Sequence, residues 1–111
     1  MKTLKCILCA AMLLAASHLY AKTEKVTIQG SVGKLSVVVQ TPDLLAEGQK
    51  CPVVIIMHGF MGNKDGMLEK LIADKLAENG TATVRFDFNG HGESEGPFSG
   101  MTVPNEIEDA K

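Results

Sequence analysis

The sequence predicts an α/β fold: an antiparallel strand pair, then the opening βαβ unit of a mostly parallel sheet. Three observations carry this. Alternating apolar residues flank Gly30-Ser31-Val32-Gly33. An unbroken apolar run, Val53 to Met57, precedes a segment with helical spacing. A second strand-like run, Thr81 to Phe88, follows that segment.

The N-terminus stands apart from this pattern. Met1-Lys2-Thr3-Leu4-Lys5 is a short basic head, Cys6 to Ala16 is apolar and uncharged, and SHLYA ends in the small residue Ala21. That is the shape of a secretory signal peptide, so residues 1–21 are expected to be removed on export and residues 22–111 to form the folded part, periplasmic or extracellular. A membrane anchor is the competing assignment. A spanning helix needs about 20 apolar residues, and this run has eleven. Cys6 and Cys9 lie before or early in it, a poor place for lipid attachment.

The whole chain carries a formal charge of −2, and loss of Lys2 and Lys5 with the leader takes it to about −4. No basic run remains and Tyr20 goes too, which leaves little for a nucleic acid to grip, and no nucleic-acid partner is expected. Of three cysteines only Cys51 survives, so no internal disulfide framework is expected. What remains is long enough to bury a core, though a marginal one.

In chain order, Val26 and Ile28 and then Leu35, Val37 and Val39 alternate with polar neighbours, the pattern of two half-buried antiparallel strands. Asp43 to Lys50 is a polar connection. Val53 to Met57 is apolar at every position, which predicts a strand covered on both faces, and it ends in the turn His58-Gly59-Phe60-Met61-Gly62. From Asn63 to Gly80, Met67, Leu68, Leu71, Ile72 and Leu76 fall at helical spacing and predict one buried stripe. Asn63 or Asp65 is expected to cap this helix, and Asn79-Gly80 to stop it. The same residues make an Asn79-Gly80-Thr81 glycosylation sequon, which a helix end explains more simply. Thr81 to Phe88 completes a βαβ unit, whose crossover should be right-handed. Met101 to Lys111 begins a last helix with Thr102 as cap and Pro104 in the first turn.

One stretch invites a catalytic assignment. Gly92-Glu93-Ser94-Glu95-Gly96 fits G-x-S-x-G, with Asp87 and His91 just upstream. A nucleophile elbow needs a strand running straight into the first glycine and a helix leaving straight after the second. Here Asn89, Gly90 and His91 interrupt the first requirement and Pro97, Phe98, Ser99 and Gly100 the second. A base must also be oriented by a third group, which normally comes from a separate segment. Glu93 and Glu95 would further disfavour an oxyanion beside Ser94. The stretch is therefore expected to be a polar turn. His58, a lone histidine closing an apolar strand, is expected to be a structural hydrogen-bonding residue rather than a general base. The glycine after it leaves backbone N–H groups at the carboxyl edge of the sheet, where open α/β folds bind ligands.

PVVIIMHGFMGNK, an amphipathic helix, and then ATVRFDFNGHGESEG, in that order and at that spacing, resemble the N-terminal third of the α/β-hydrolase superfamily, from about Val26 to Lys111. RFDFNGHGESEGPFSGMTVPNEIEDA is most similar to bacterial feruloyl and cinnamoyl esterases, and also to monoacylglycerol-lipase-like and serine-aminopeptidase-like members. The resemblance implies that the backbone N–H of Phe60 is one oxyanion-hole donor, that His58 and Gly59 shape its loop, and that Gly90 to Gly96 is a structural loop. It also implies that the chain stops before the nucleophile elbow, so that serine, acid and histidine are all expected beyond Lys111. Met61 stands where epoxide hydrolases and dehalogenases carry proline, which argues against those branches. No metal or organic cofactor is expected. The partner implied is a small ester in the intact enzyme, with a peptide or thioester substrate as the alternative; the competing reading of the chain, from another class, is a small non-catalytic exported binding module. A sheet ending at Val53–Met57 would leave a bare edge prone to self-association.

Overall fold

The computed structural model describes residues 22–43 and 45–111, so the expected leader lies outside the described residues. The strands are β1 (Thr23–Gln29), β2 (Lys34–Gln40), β3 (Val53–Met57) and β4 (Ala82–Phe86). The helices are α1 (Met67–Glu78) and α2 (Val103–Ala110), with a single 3₁₀ turn at Phe98–Gly100. The strands form one four-stranded sheet in the order β1-β2-β4-β3. β1 and β4 run antiparallel to β2, and β3 runs parallel to β4, pairing Val53 with Ala82 and Met57 with Phe86.

Strand alternation divides the sheet into two faces. On one, Leu35 and Val37 of β2 and Phe86 of β4 cluster with Phe88, and Ala110 of α2 packs against them. On the other, α1 lies against the sheet and is tied to it by Gln40 Nε2, which donates to Asp74 Oδ1 at 2.9 Å. Helices on opposite faces are the start of a doubly wound α/β architecture.

Two expectations about burial need correction. β3 is not covered on both faces: it is the edge strand, and Val53, Ile55 and Met57 are 59%, 52% and 53% exposed, while Ile56 alone is buried. The cause is that among the described residues β3 has a neighbour on one side only. Nor is the stripe of α1 buried. The helix meets the sheet through Ala73 and Ala77, whose small side chains let the backbones approach, while Met67, Leu68 and Leu71 are exposed. Both departures have one origin. The apolar surface is written for a larger core than these residues supply.

The helix ends largely follow expectation. Asn63 and Asp65 do not cap α1. Gly66 holds that position without a side-chain bond, and the Asn63 Oδ1 instead accepts from the Asp65 N–H at 2.9 Å. At the other end Gly80 has φ +79°, and the Gly80 and Thr81 N–H groups donate to Ala77 and Leu76 O at 3.2 and 2.9 Å. This is the Schellman arrangement, and it accounts for Asn79-Gly80 as a helix stop. Thr102 caps α2 by accepting from the Asn105 N–H at 3.3 Å.

Candidate active-site turn

β3 delivers His58 to the carboxyl edge of the sheet, where its ring is buried. The Phe88 N–H donates to His58 Nε2 at 3.1 Å, which makes Nε2 an acceptor and leaves the proton on Nδ1, 2.8 Å from Gly59 O. Both ring nitrogens are thus committed. The ring also meets Phe88 edge-on at 5.1 Å between centroids. In this geometry His58 holds the strand end and has no nitrogen left to act as a base.

The chain then reverses over Gly59-Phe60-Met61-Gly62, closed by the Gly62 N–H donating to Gly59 O at 2.9 Å. Met61 occupies the third position with φ +60°, a place that normally takes glycine or asparagine and costs a side-chain-bearing residue about 1–2 kcal/mol. The turn turns the Phe60 side chain outward, 71% exposed, with its ring 5.9 Å from that of Phe98. No acceptor among the described residues takes the Phe60 N–H. Beside the turn lies a cleft of about 290 Å³, walled by Met61 and Asn63 on one side and Gly90, His91 and Phe98 on the other.

The loop from Gly90 to Gly96 is closed on itself and on the sheet. The Gly90 N–H donates to Glu95 O at 3.0 Å, and the Glu95 N–H to Lys34 O at 2.9 Å. Ser94 Oγ donates to the backbone O of Asp87 at 2.6 Å and accepts from the Ser36 N–H at 2.8 Å. His91 is buried, with Nδ1 3.2 Å from Asn89 O, and its Nε2 has no partner among the described residues. The Asp87 carboxylate accepts instead from the Lys64 N–H, the Lys64 ammonium and the Glu93 N–H. No side chain of Asp87, His91 or Ser94 hydrogen-bonds the side chain of another, so the three do not form a relay. Gly92 is required here: its φ is +48°, and a Cβ would stand 2.4 Å from the Asp87 carboxylate.

A charged cluster lies beneath the cleft, and sequence reasoning missed most of it. Lys64 is 1% exposed. Its backbone N–H donates to Asp87 Oδ1 at 2.6 Å, and its ammonium to Asp87 Oδ2 at 2.9 Å, Glu93 Oε1 at 3.1 Å and Asp65 Oδ2 at 3.1 Å. Burial pulls the Lys64 pKa down, but the hydrogen bonds from Asp87, Glu93 and Asp65 outweigh it and hold the pKa well above the ordinary lysine value. Glu93 is lowered, first by its hydrogen bond with Lys25 of β1 and then by that with Lys64. Asp109 of α2 accepts from the Ser31 and Asn89 N–H groups at 2.7 and 2.9 Å, tying the β1–β2 turn to the end of β4. Lys64 and Asp109 carry little local sequence signal, because apart from the neighbouring Asp65 their partners lie 20 to 78 residues away.

The signs of these shifts predict a pH profile. Glu93, depressed in the fold, contributes stability above its ordinary 4.5 and loses it as pH falls through the lower folded value. Lys64, raised in the fold, contributes fully below its ordinary 10.5 and loses that contribution only as pH rises through the higher folded value. The protection of the Gly90–Gly96 amides, relative to the intrinsic exchange rate at each pH, should therefore stay flat between these limits and fall on the acid side, and Glu93→Gln should remove the acid-side fall.

Comparison with known proteins agrees with this architecture. Residues 48–107 match the model of the serine aminopeptidase, S33, family. Est1E from Butyrivibrio proteoclasticus, solved with ferulic acid bound, is 31% identical with a TM-score of 0.69, over 77% of this chain and 33% of that one. An alpha-beta serine hydrolase homologue from Coxiella burnetii is 34% identical with a TM-score of 0.64, over 78% of this chain and 41% of that one. An Escherichia coli protein described as an uncharacterized 31.7 kDa protein in the traX-finO intergenic region is 37% identical over 60 residues, 54% of this chain and 21% of that protein. The chain thus spans about a fifth of the length of this curated relative. With the sheet order, the paired helices and the family match all in agreement, the chain belongs to the serine aminopeptidase, S33, family and forms the N-terminal portion of an α/β-hydrolase fold.

Proposed function

We propose that this chain is part of an exported serine hydrolase that cleaves carboxylic esters through an acyl-enzyme, and that its contribution to the chemistry is the Phe60 N–H. The observation that carries this is the turn itself. Strain at Met61 is retained where the Phe60 amide is left without an acceptor, at the carboxyl edge of a parallel strand pair and beside a cleft. A preorganised backbone donor of this kind stabilises the oxyanion that forms when a serine attacks an ester carbonyl. His58 and Gly59 hold the turn in place. The serine, its histidine, the acid and the second oxyanion donor would come from segments beyond Lys111. Residues 22–111 alone would then carry no turnover, and their bare β3 edge would favour self-association.

The basic head, apolar run and small residue at Ala21 support export. The ester assignment is supported by likeness to Est1E, solved with ferulic acid bound. The description of the matching family favours peptide substrates as the second reading. Assay of the full-length protein against p-nitrophenyl acetate, methyl ferulate and an aminoacyl p-nitroanilide separates them. Turnover of methyl ferulate at least about 100-fold above the anilide is expected, a margin of roughly 3 kcal/mol in activation free energy. A preference for the anilide would overturn the ester assignment.

A further inference from the structure

We propose that Lys64 is a positioning residue for the oxyanion turn, clamping the chain beyond Gly62 to the Asp87 carboxylate and so setting the direction of the Phe60 N–H. This rests on the role proposed above for Phe60. The turn does not hold itself. It contains one internal hydrogen bond and an unfavourable φ at Met61, and by itself would relax. Its flanks hold it. On one side the His58 ring accepts from the Phe88 N–H. On the other, Lys64 N–H and ammonium both reach the Asp87 carboxylate, while Arg85 Nε donates to Lys64 O at 2.9 Å. Both flanks therefore end on adjacent residues at the end of β4, the most enclosed strand of the sheet.

The chemistry of the pair suits this role better than it suits stability. Lys64 and Asp87 are 1% and 0% exposed, and taking two such charges out of water offsets most of their attraction, so an apolar pair of like volume would stabilise the fold as well or better. What an apolar pair cannot do is fix direction. The Asp87 carboxylate accepts two backbone N–H groups, Lys64 and Glu93, which directly follow Asn63 and Gly92 on the two sides of the cleft, and the ammonium neutralises it while also holding Glu93 Oε1. One cation thus sets the spacing between the Phe60 turn and the Gly90–Gly96 loop.

The test uses the full-length protein with Lys64→Met and Lys64→Arg, read by steady-state kinetics on p-nitrophenyl acetate and by the amide resonance of Phe60. Lys64→Met should lower kcat about 10- to 100-fold with KM within about threefold, the effect of misplacing a donor by about an ångström. It should also shift the Phe60 amide resonance. Phe60→Pro added to Lys64→Met should cost much less than it does in the wild type, because the donor removed is already misaligned. If Lys64→Met fails to fold, Lys64→Arg keeps the charge but not the compact ammonium. It should show the same loss in kcat, smaller, with the same resonance shift. A variant that melts earlier yet keeps wild-type kcat and an unmoved Phe60 resonance would overturn the proposal and leave Lys64 purely structural. Should the wild type hydrolyse no ester, the proposed function fails, while the Phe60 resonance still tests the clamp.

Discussion

Phe60→Pro in the full-length protein is expected to lower kcat by about 10²–10³, or roughly 3–4 kcal/mol of lost oxyanion stabilisation, while the protein stays folded. Proline deletes the one backbone N–H that the proposal depends on. It also fits the site. Phe60 is the second residue of the Gly59–Gly62 turn, where the φ fixed by proline is favoured, and Gly59 before it tolerates the restriction that proline imposes. Phe60→Ala is the control, because it removes the exposed ring and keeps the N–H. Its effect should fall on KM rather than kcat. Equal kcat losses in the two variants would place the importance of Phe60 in its side chain.

Asp87→Ala should give the largest loss of stability, about 3–5 kcal/mol, because it strands the buried Lys64 ammonium without its principal partner. The backbone N–H groups of Lys64 and Glu93 also lose their acceptor. Urea unfolding of the full-length protein measures this. Ser94→Ala removes two hydrogen bonds to backbone groups and should cost about 1–3 kcal/mol. Asp87→Ala costing no more than Ser94→Ala would mean that the cluster is solvated rather than sealed.

What the sequence made legible follows from how far each signal reaches. The hairpin-like β1–β2 pair, the parallel unit β3-α1-β4, the Gly80 stop and the Thr102 cap depend on residues within a few positions of one another, and all are present. Which face of α1 meets the sheet was not legible. Ala73 and Ala77 carry little apolar weight in a periodicity, yet they are the buried residues of the helix. The exposure of β3 was hidden for a related reason: five apolar residues record that a strand is built for burial, not that its neighbour is at hand. At the site, the turn after His58 was legible from its glycines, whereas the Lys64–Asp87 pair joins separate loops and leaves no trace in local pattern. The G-x-S-x-G spelling misleads for the opposite reason. Five letters specify the residues of an elbow and nothing about the strand and helix that must flank it.

Treating the full-length protein with a fluorophosphonate probe and mapping the modified residue by mass spectrometry tests the central claim most directly. The adduct should sit on a serine outside residues 22–111, and the isolated 111-residue chain should take up none. An adduct on Ser94, whose hydroxyl here is held between the Asp87 carbonyl and the Ser36 amide, would contradict the account.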